Sequence, residues 1–400
     1  MFRLRLFSLL VLLLAALPGF AASPPSPAPV ALGQPLTVHF FDVGQGDAAL
    51  VISPTGKTVL IDGGPPEARE RLTARIKELV KGPLDLVILT HPHLDHLGGL
   101  VSAVRAVGAR RFMDPGFNHP SEAYRDLLDF VGDNVGQVLT PEPGPSSAHG
   151  LLTIGLGEGV SLTVFWPRMP KEPFLVGTRS DANSNSIVLR LTYGKTAFLL
   201  VGDAEPDTEA ALLQRSLNLT ATVLKVAHHG GKHSSTAAFL AASKPQAAVI
   251  SVGAKNDYGH PAPETLARLA DVGAHVLRTD QEGEVVAASD GQSVTLRTHA
   301  GTGALLVLTG NVDPSPVTSA PAPLTPVRPG ATPPPRGESG RAPKSSPSDS
   351  STGPYVGLKG SKVFHRETCS TLKRSKSERT LYPNREAALR ERRPAEDCHP

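Results

Sequence analysis

Four hundred residues, 40% of them hydrophobic, are enough for one large domain or two ordinary ones with a substantial core. The net charge of +3 is unevenly spread: residues 353–400 hold eleven Lys/Arg against six Asp/Glu (+5), residues 311–352 add +1 and residues 1–22 add +2, which leaves residues 23–310 at −5. An acidic central region excludes tight gripping of nucleic acid by that region's own charge.

The chain opens Met1-Phe2-Arg3-Leu4-Arg5, runs apolar over residues 6–17 and reaches Pro18-Gly19-Phe20-Ala21-Ala22. Two arginines, a short apolar core and small residues near a cleavage point predict a secretory signal peptide over residues 1–22. The run is short for a transmembrane span, and no other stretch is long and apolar enough for one. Export to the periplasm, cell surface or medium is therefore expected. Residues 23–35 are rich in Pro, Ala and Ser and read as a spacer.

Residues 36–43 alternate as a strand does, Gly44-Gln45-Gly46-Asp47 is a turn, and strands follow at 48–52 and 58–64. Residues 67–81 space Leu72, Ile76, Leu79 and Val80 as an amphipathic helix. An apolar run at 84–89 reads as a buried strand and ends at His91-Pro92-His93-Leu94-Asp95-His96-Leu97-Gly98-Gly99. Beyond it we read helices at 122–131, 207–216, 236–243 and 263–272. Strands are read at 161–166, 186–193, 196–201, 221–226, 247–252, 276–278, 283–288 and 293–298, with a Pro/Gly/Ser loop at 141–149. This mixture predicts an α/β protein of two sheets packed face to face with helices outside, over residues 36–310. Residues 311–352 lack hydrophobic periodicity and read as a linker. Residues 353–400 form a compact piece holding both cysteines, Cys369 and Cys398.

Three histidines and an aspartate within six residues, directly after a buried strand, are dense in metal ligands. Imidazole nitrogens suit zinc, manganese or iron, and a carboxylate can bridge a second ion. A histidine-rich surface loop is the bland alternative, and the position after a buried strand weighs against it. Asp203 follows another apolar strand, as do His228 and His229, and His260 follows a third. Singly these are weak signals; loops at strand ends are where a rigid sheet gathers ligands from distant sequence.

The ordered set Phe41-Asp42-Val43-Gly44-Gln45-Gly46-Asp47-Ala48, Leu60-Ile61-Asp62-Gly63-Gly64, the His91–His96 motif, Asn183-Ser184-Asn185-Ser186, Val201-Gly202-Asp203, His228-His229-Gly230 and Tyr258-Gly259-His260-Pro261 resembles the metallo-β-lactamase-type domain of ComEC-type competence proteins. The resemblance spans about residues 36–298 and implies an αβ/βα sandwich with a dinuclear centre of zinc or manganese. It further implies hydrolysis of a phosphodiester, with DNA as substrate. The membrane-channel portion of that family has no counterpart here, so DNA transport does not carry over. By resemblance His91, His93, Asp95 and His96 serve the two metals and Asp203 bridges them. Asn183 and Ser186 stand where many relatives place another histidine, so His228, His229 or His260 is left to fill that position. His119 and His149 lie in the interval and are set aside as loop residues. Asp42 and Asp62 would brace the ligand loops. A water activated between the ions would attack phosphorus, with His229 or His260 protonating the leaving oxygen. Lys225 and Lys232 could touch phosphates, though solvated lysines are the commoner case.

In the C-terminal piece, His365, Cys369 and Cys398 resemble the ligands of a small zinc module appended to secreted nucleases. Ala395 replaces one expected cysteine, and His399 is the candidate substitute. A Cys369–Cys398 disulfide is the alternative in an exported protein. The functional expectation is thus a secreted metal-dependent phosphodiesterase or nuclease, with possible envelope association through the basic tail. The competing readings are a lactone or β-lactam hydrolase of the same fold and a non-catalytic envelope DNA-binding protein.

Overall fold

A computed structural model describes residues 34–142, 150–167, 173–215, 217–298 and 306–313. It also describes residues 322–323, 355–359, 361, 363–366, 372, 378–382, 388 and 391–394. The signal-peptide reading, nearly all of the spacer and most of the linker lie outside the described residues.

The first sheet starts as an antiparallel meander of β1 (Leu36–Phe40), β2 (Ala49–Ile52) and β3 (Thr58–Ile61). Helix α1 (Arg69–Leu79) leads to β4 (Leu86–Ile88), which pairs parallel to β3. The ligand motif follows on α2 (Leu94–Leu97), then come α3 (Leu100–Val107), β5 (Arg111–Met113), α4 (Glu122–Asn134) and β6 (Gln137–Leu139). The second sheet begins with β7 (Thr153–Gly155) and β8 (Val160–Trp166), and the short α5 (Asp181–Ser184) precedes β9 (Val188–Tyr193) and β10 (Thr196–Leu200). Helix α6 (Pro206–Gln214), β11 (Val223–Lys225), α7 (Ala237–Ser243), β12 (Ala247–Ile250), α8 (Pro263–Asp271) and β13 (His275–Arg278) complete its parallel part. After α9 (Thr279–Glu282), the chain returns to the first sheet as β14 (Val285–Ser289), β15 (Ser293–Thr298) and β16 (Leu306–Thr309).

The sheets run β16-β15-β14-β1-β2-β3-β4-β5-β6 and β13-β12-β11-β10-β9-β8-β7-β17, where β17 is Ala322–Pro323. Their central strands are apolar on both faces, and the alternation shows why. Val59, Ile61, Leu86 and Ile88 meet Phe198, Leu200, Val223 and Val249 between the sheets. Leu60, Val87 and Leu89 face outward onto Leu72, Ile76, Leu100 and Leu127 from the helices. On the other side Leu199, Leu224, Ala248 and Ile250 pack on Leu212, Phe239, Leu240 and Leu269. Strands covered on both faces read as continuous apolar runs. Truncating Phe198, fully buried between the sheets, to alanine would cost about 3–5 kcal/mol. The expected αβ/βα sandwich is the observed fold.

Helix starts follow local chemistry. Ser121 Oγ accepts from Tyr124 N at the head of α4, and Thr236 Oγ accepts from Phe239 N at the head of α7. Pro206 and Pro263 open α6 and α8, where a missing N–H costs nothing. Asn311 Oδ1 accepts from Thr222 Oγ1 and Val312 N donates to Lys195 O, so the chain stays on the second sheet past residue 310.

The C-terminal piece forms a sheet in the order β20-β18-β19-β21, with β18 Tyr355–Leu358, β19 Val363–Arg366, β20 Arg379–Tyr382 and β21 Arg393–Pro394. Tyr355, Phe364, Tyr382 and Ala388 make its small core.

Candidate metal centre

In both sheets the parallel strands deliver their carboxyl ends to one place. Asp62 follows β3, His91 to His96 follow β4, Asp203 follows β10, His228 and His229 follow β11, and Ser251 follows β12. The motif loop is fixed by Asp62, whose carboxylate accepts from Thr90 N and Thr90 Oγ1, both at 2.7 Å. Asp47 N donates to Asp95 O and Gly63 N donates to His96 O, so neighbouring turns clamp the backbone of the ligand helix. Glycine is required at position 46, where a Cβ would collide with the Asp95 carbonyl, and at position 99, where it would collide with that of Gly63. Asp62, His228 and His229 hold positive φ angles of 59°, 52° and 53°, half of the six non-glycine residues that do so among those described. Local strain of this kind gathers where the surrounding structure fixes a functional group.

Asp203 is the hub. Its Oδ1 lies 3.4 Å from His96 Nε2, and its Oδ2 lies 3.6 Å from His229 Nε2 and 3.8 Å from both His91 Nε2 and His228 Nε2. On one side, Asp95 Oδ2 is 3.2 Å from His229 Nε2 and 3.9 Å from His96 Nε2. On the other, His91 Nε2 shares a hydrogen bond with His93 Nδ1 at 3.0 Å. Asp95, His96, Asp203 and His229 each offer an atom within 4.8 Å of the others.

The tautomers are set from behind. His96 Nδ1 sits 2.8 Å from Asp62 Oδ2, and His229 Nδ1 donates to Ser251 O at 3.0 Å. Both rings therefore turn Nε2 inward. His96 Nε2, His229 Nε2 and Asp203 Oδ1 are buried with no hydrogen-bond partner. Buried polar atoms without partners are costly, and three converging on one point fit a cation. The donor set of imidazole nitrogens and carboxylate oxygens fits divalent metal ions.

Electrostatics run the same way. Burial pushes the Asp203 and Asp95 carboxyls up, but His96 and His229 outweigh it and hold both well below the usual carboxylate range. Burial opposes charge on His96 and His228, yet nearby carboxylates win: Asp203, Asp62 and Asp95 raise His96 well above its ordinary value, and Asp203 and Glu205 raise His228 to about 9. His91 and His93 are pushed down by burial, His93 to about 4. A site that draws protons this strongly draws cations.

The expected residues fall into groups. Asn183 Nδ2 lies 3.4 Å from His228 Nε2, and Ser186 Oγ accepts from Asp203 N at 3.2 Å, so both border the hub. Asp42 accepts from Gly44 N and braces its own turn. His260 stands further out, its ring centroid 5.6 Å from that of His228 and 6.5 Å from that of His229. Burial and the neighbouring histidines push it down to about 4, so the ring is neutral at neutral pH and not charged to act as a general acid. His119, set aside as a loop residue, has its ring 5.7 Å from that of His93.

Lys225 corrects the sequence reading. It is not a solvated lysine: it is buried, donating to Asp47 Oδ2 at 2.8 Å and to Val226 O at 2.9 Å, which commits its ammonium within the protein. Lys232 pairs with Glu264 at the surface. His365 is buried in β19, whereas His149, Cys369, Cys398 and His399 lie outside the described residues.

Three contributors escaped the sequence reading. Glu205 Oε1 lies 3.1 Å from His228 Nδ1, Asp47 Oδ1 lies 3.8 Å from His229 Nδ1, and Ser251 acts through its carbonyl. The Gly-Asp-Ala-Glu spacing was the available signal for Glu205; a backbone acceptor leaves none.

Fold and site together define an αβ/βα sandwich with a candidate divalent-metal centre between its sheets. Residues 41–161 match the metallo-beta-lactamase superfamily model. The chain carries a metallo-β-lactamase domain related to competence proteins. "ComE operon protein 3" of Bacillus subtilis is 30% identical over 267 residues, 62% of this chain and 32% of that protein. "Competence protein ComA" of Neisseria gonorrhoeae is 29% identical over 274 residues, 68% of this chain and 34% of that one. "Recombination protein 2" of Haemophilus influenzae is 30% identical over 254 residues, 62% and 28% respectively. The chain thus spans about a third of the length of these relatives. Among solved structures, a PhnP-family diphosphatase overlaps 60% of this chain and 94% of its own, at 15% identity and a TM-score of 0.36.

Proposed function

We propose that this domain hydrolyses phosphodiester bonds, with DNA as substrate, using two divalent ions of zinc or manganese. The observation that carries the reading is Asp203, which turns one carboxylate oxygen to His96 and the other toward His91, His228 and His229. One ion would take His91, His93 and His228, the other Asp95, His96 and His229, with Asp203 between them. Bound ions would supply Lewis acidity at the phosphate and an activated water. The protein's own part is positional. Asp62 and the Ser251 carbonyl fix the inward Nε2 atoms, Glu205 holds His228 at Nδ1, and Ser186 anchors Asp203. His260 stands between the ligand His229 and the exposed Tyr258.

DNA as substrate is supported by the competence and recombination names of the relatives. Export through residues 1–22 and tethering through the basic segment 353–400 complete the proposal, and cell fractionation tests the former. For the chemistry, the full-length protein is incubated with single- and double-stranded DNA, a bis-aryl phosphodiester and a chromogenic β-lactam, across added metals. Metal-dependent cleavage of DNA and the diester is expected. Turnover of the lactam with neither of these cleaved would replace this reading with that of a lactamase.

A further inference from the structure

We infer that the exposed ring of Tyr258 is a stacking platform for an unpaired nucleobase beside the scissile phosphate, so that the site takes single strands or frayed ends. The inference rests on the phosphodiester reading and adds the feature that selects the substrate's form.

Tyr258 is 52% exposed, yet it is not loose. Asn256 Oδ1 accepts from Tyr258 N at 3.2 Å and His260 N at 2.9 Å, while its Nδ2 donates to Gly253 O at 2.9 Å and His260 O at 2.7 Å. One side chain therefore pins the whole loop. The rings of Tyr258 and His260 lie 5.7 Å apart at 30°, and those of His260 and His229 lie 6.5 Å apart at 29°. The three form a ladder of offset rings from the surface down to a candidate ligand, within the spacing that aromatic pairs favour. An exposed aromatic whose backbone is already ordered loses little freedom on binding a flat partner.

The surroundings are apolar too. Among the described residues five large hydrophobic side chains are exposed, and two of them, Tyr258 and Leu94 between His93 and Asp95, lie on loops of the proposed centre. Exposed apolar side chains offer little to a duplex, whose bases are turned inward and whose outside is phosphate and sugar. They suit a base lifted from its stack.

The test compares a short thymidine oligonucleotide with an abasic strand of the same length and charge. Binding is read by fluorescence anisotropy on full-length protein with added manganese, in an Asp95→Asn background that prevents turnover. Without further change the protein should prefer the base-bearing strand, Tyr258→Ala should lose that preference by roughly tenfold, and Tyr258→Phe should retain it. No preference before the Tyr258 change, its survival in Tyr258→Ala, or its loss in Tyr258→Phe would each overturn the inference. Cleavage is followed in parallel in the Asp95 protein. Preferential binding without any cleavage would sink the hydrolase reading and leave the platform standing.

Discussion

His229 Nε2 lies 3.2 Å from Asp95 Oδ2, although His229 follows a strand of the eight-stranded sheet and Asp95 follows one of the nine-stranded sheet. The proposed centre therefore spans the sandwich, and each side can be tested separately.

Asp95→Asn should lower hydrolysis by about a hundredfold or more while leaving the fold intact, because it removes a charge from the ligand set at nearly constant volume. Steady-state kinetics with circular dichroism decides it. A folded variant with unchanged turnover would refute the dinuclear assignment.

Asp203→Asn should cost metal as well as rate, since both carboxylate oxygens face nitrogen donors. Metal analysis after gel filtration should fall from two ions per chain toward one or none. Two tightly held ions would argue against the bridge.

Lys225→Met should destabilise the protein by about 3–5 kcal/mol, because the Asp47 carboxylate stays buried without its partner. The double variant Asp47→Asn, Lys225→Met should recover most of that loss. Denaturant titrations of the two variants check it, and equal losses would mean the pair contributes by packing alone.

Glu209 gives a pH signature away from the ligands. Burial raises its carboxyl from 4.5 to about 7, against hydrogen bonds donated by Ser235 N and Thr236 N and the nearby Arg268 guanidinium. A raised carboxyl contributes stability that is complete below the unfolded value near 4.5 and is lost as pH rises through about 7. Melting temperatures should fall across that window, and Glu209→Gln should flatten the fall. Identical profiles for the two proteins would assign the trend to another group.

Removing residues 314–400 spares Asn311 and Val312, which tie to the second sheet. It also removes the segment of net charge +5 from beside a region of −5. Apparent KM for long DNA at low salt should rise, turnover of a small diester should hold, and the deficit should shrink as salt increases. Equal DNA kinetics at low salt would assign the tail to another partner.

The sequence disclosed most where ligands were contiguous or followed long apolar runs. His91 to His96 stand together, and Asp203, His228 and His229 each come straight after strands buried on both faces. Strands β5, β6 and β7 have three residues each, too few to display a period, and none was read in advance. Asp47 looked like a turn residue because its role depends on Lys225, which arrives from the other sheet. His119 was dismissed for its Pro/Gly-rich neighbours, although such a loop is what carries it to His93. Choosing among His228, His229 and His260 needed ring positions, which spacing does not encode.

Because the ligands come from both sheets, neither half of the sandwich can hold the ions alone. Closing of the two sheets on each other and assembly of the ligand set would therefore be one event. The metal acquired would then reflect the ions available wherever the two sheets close.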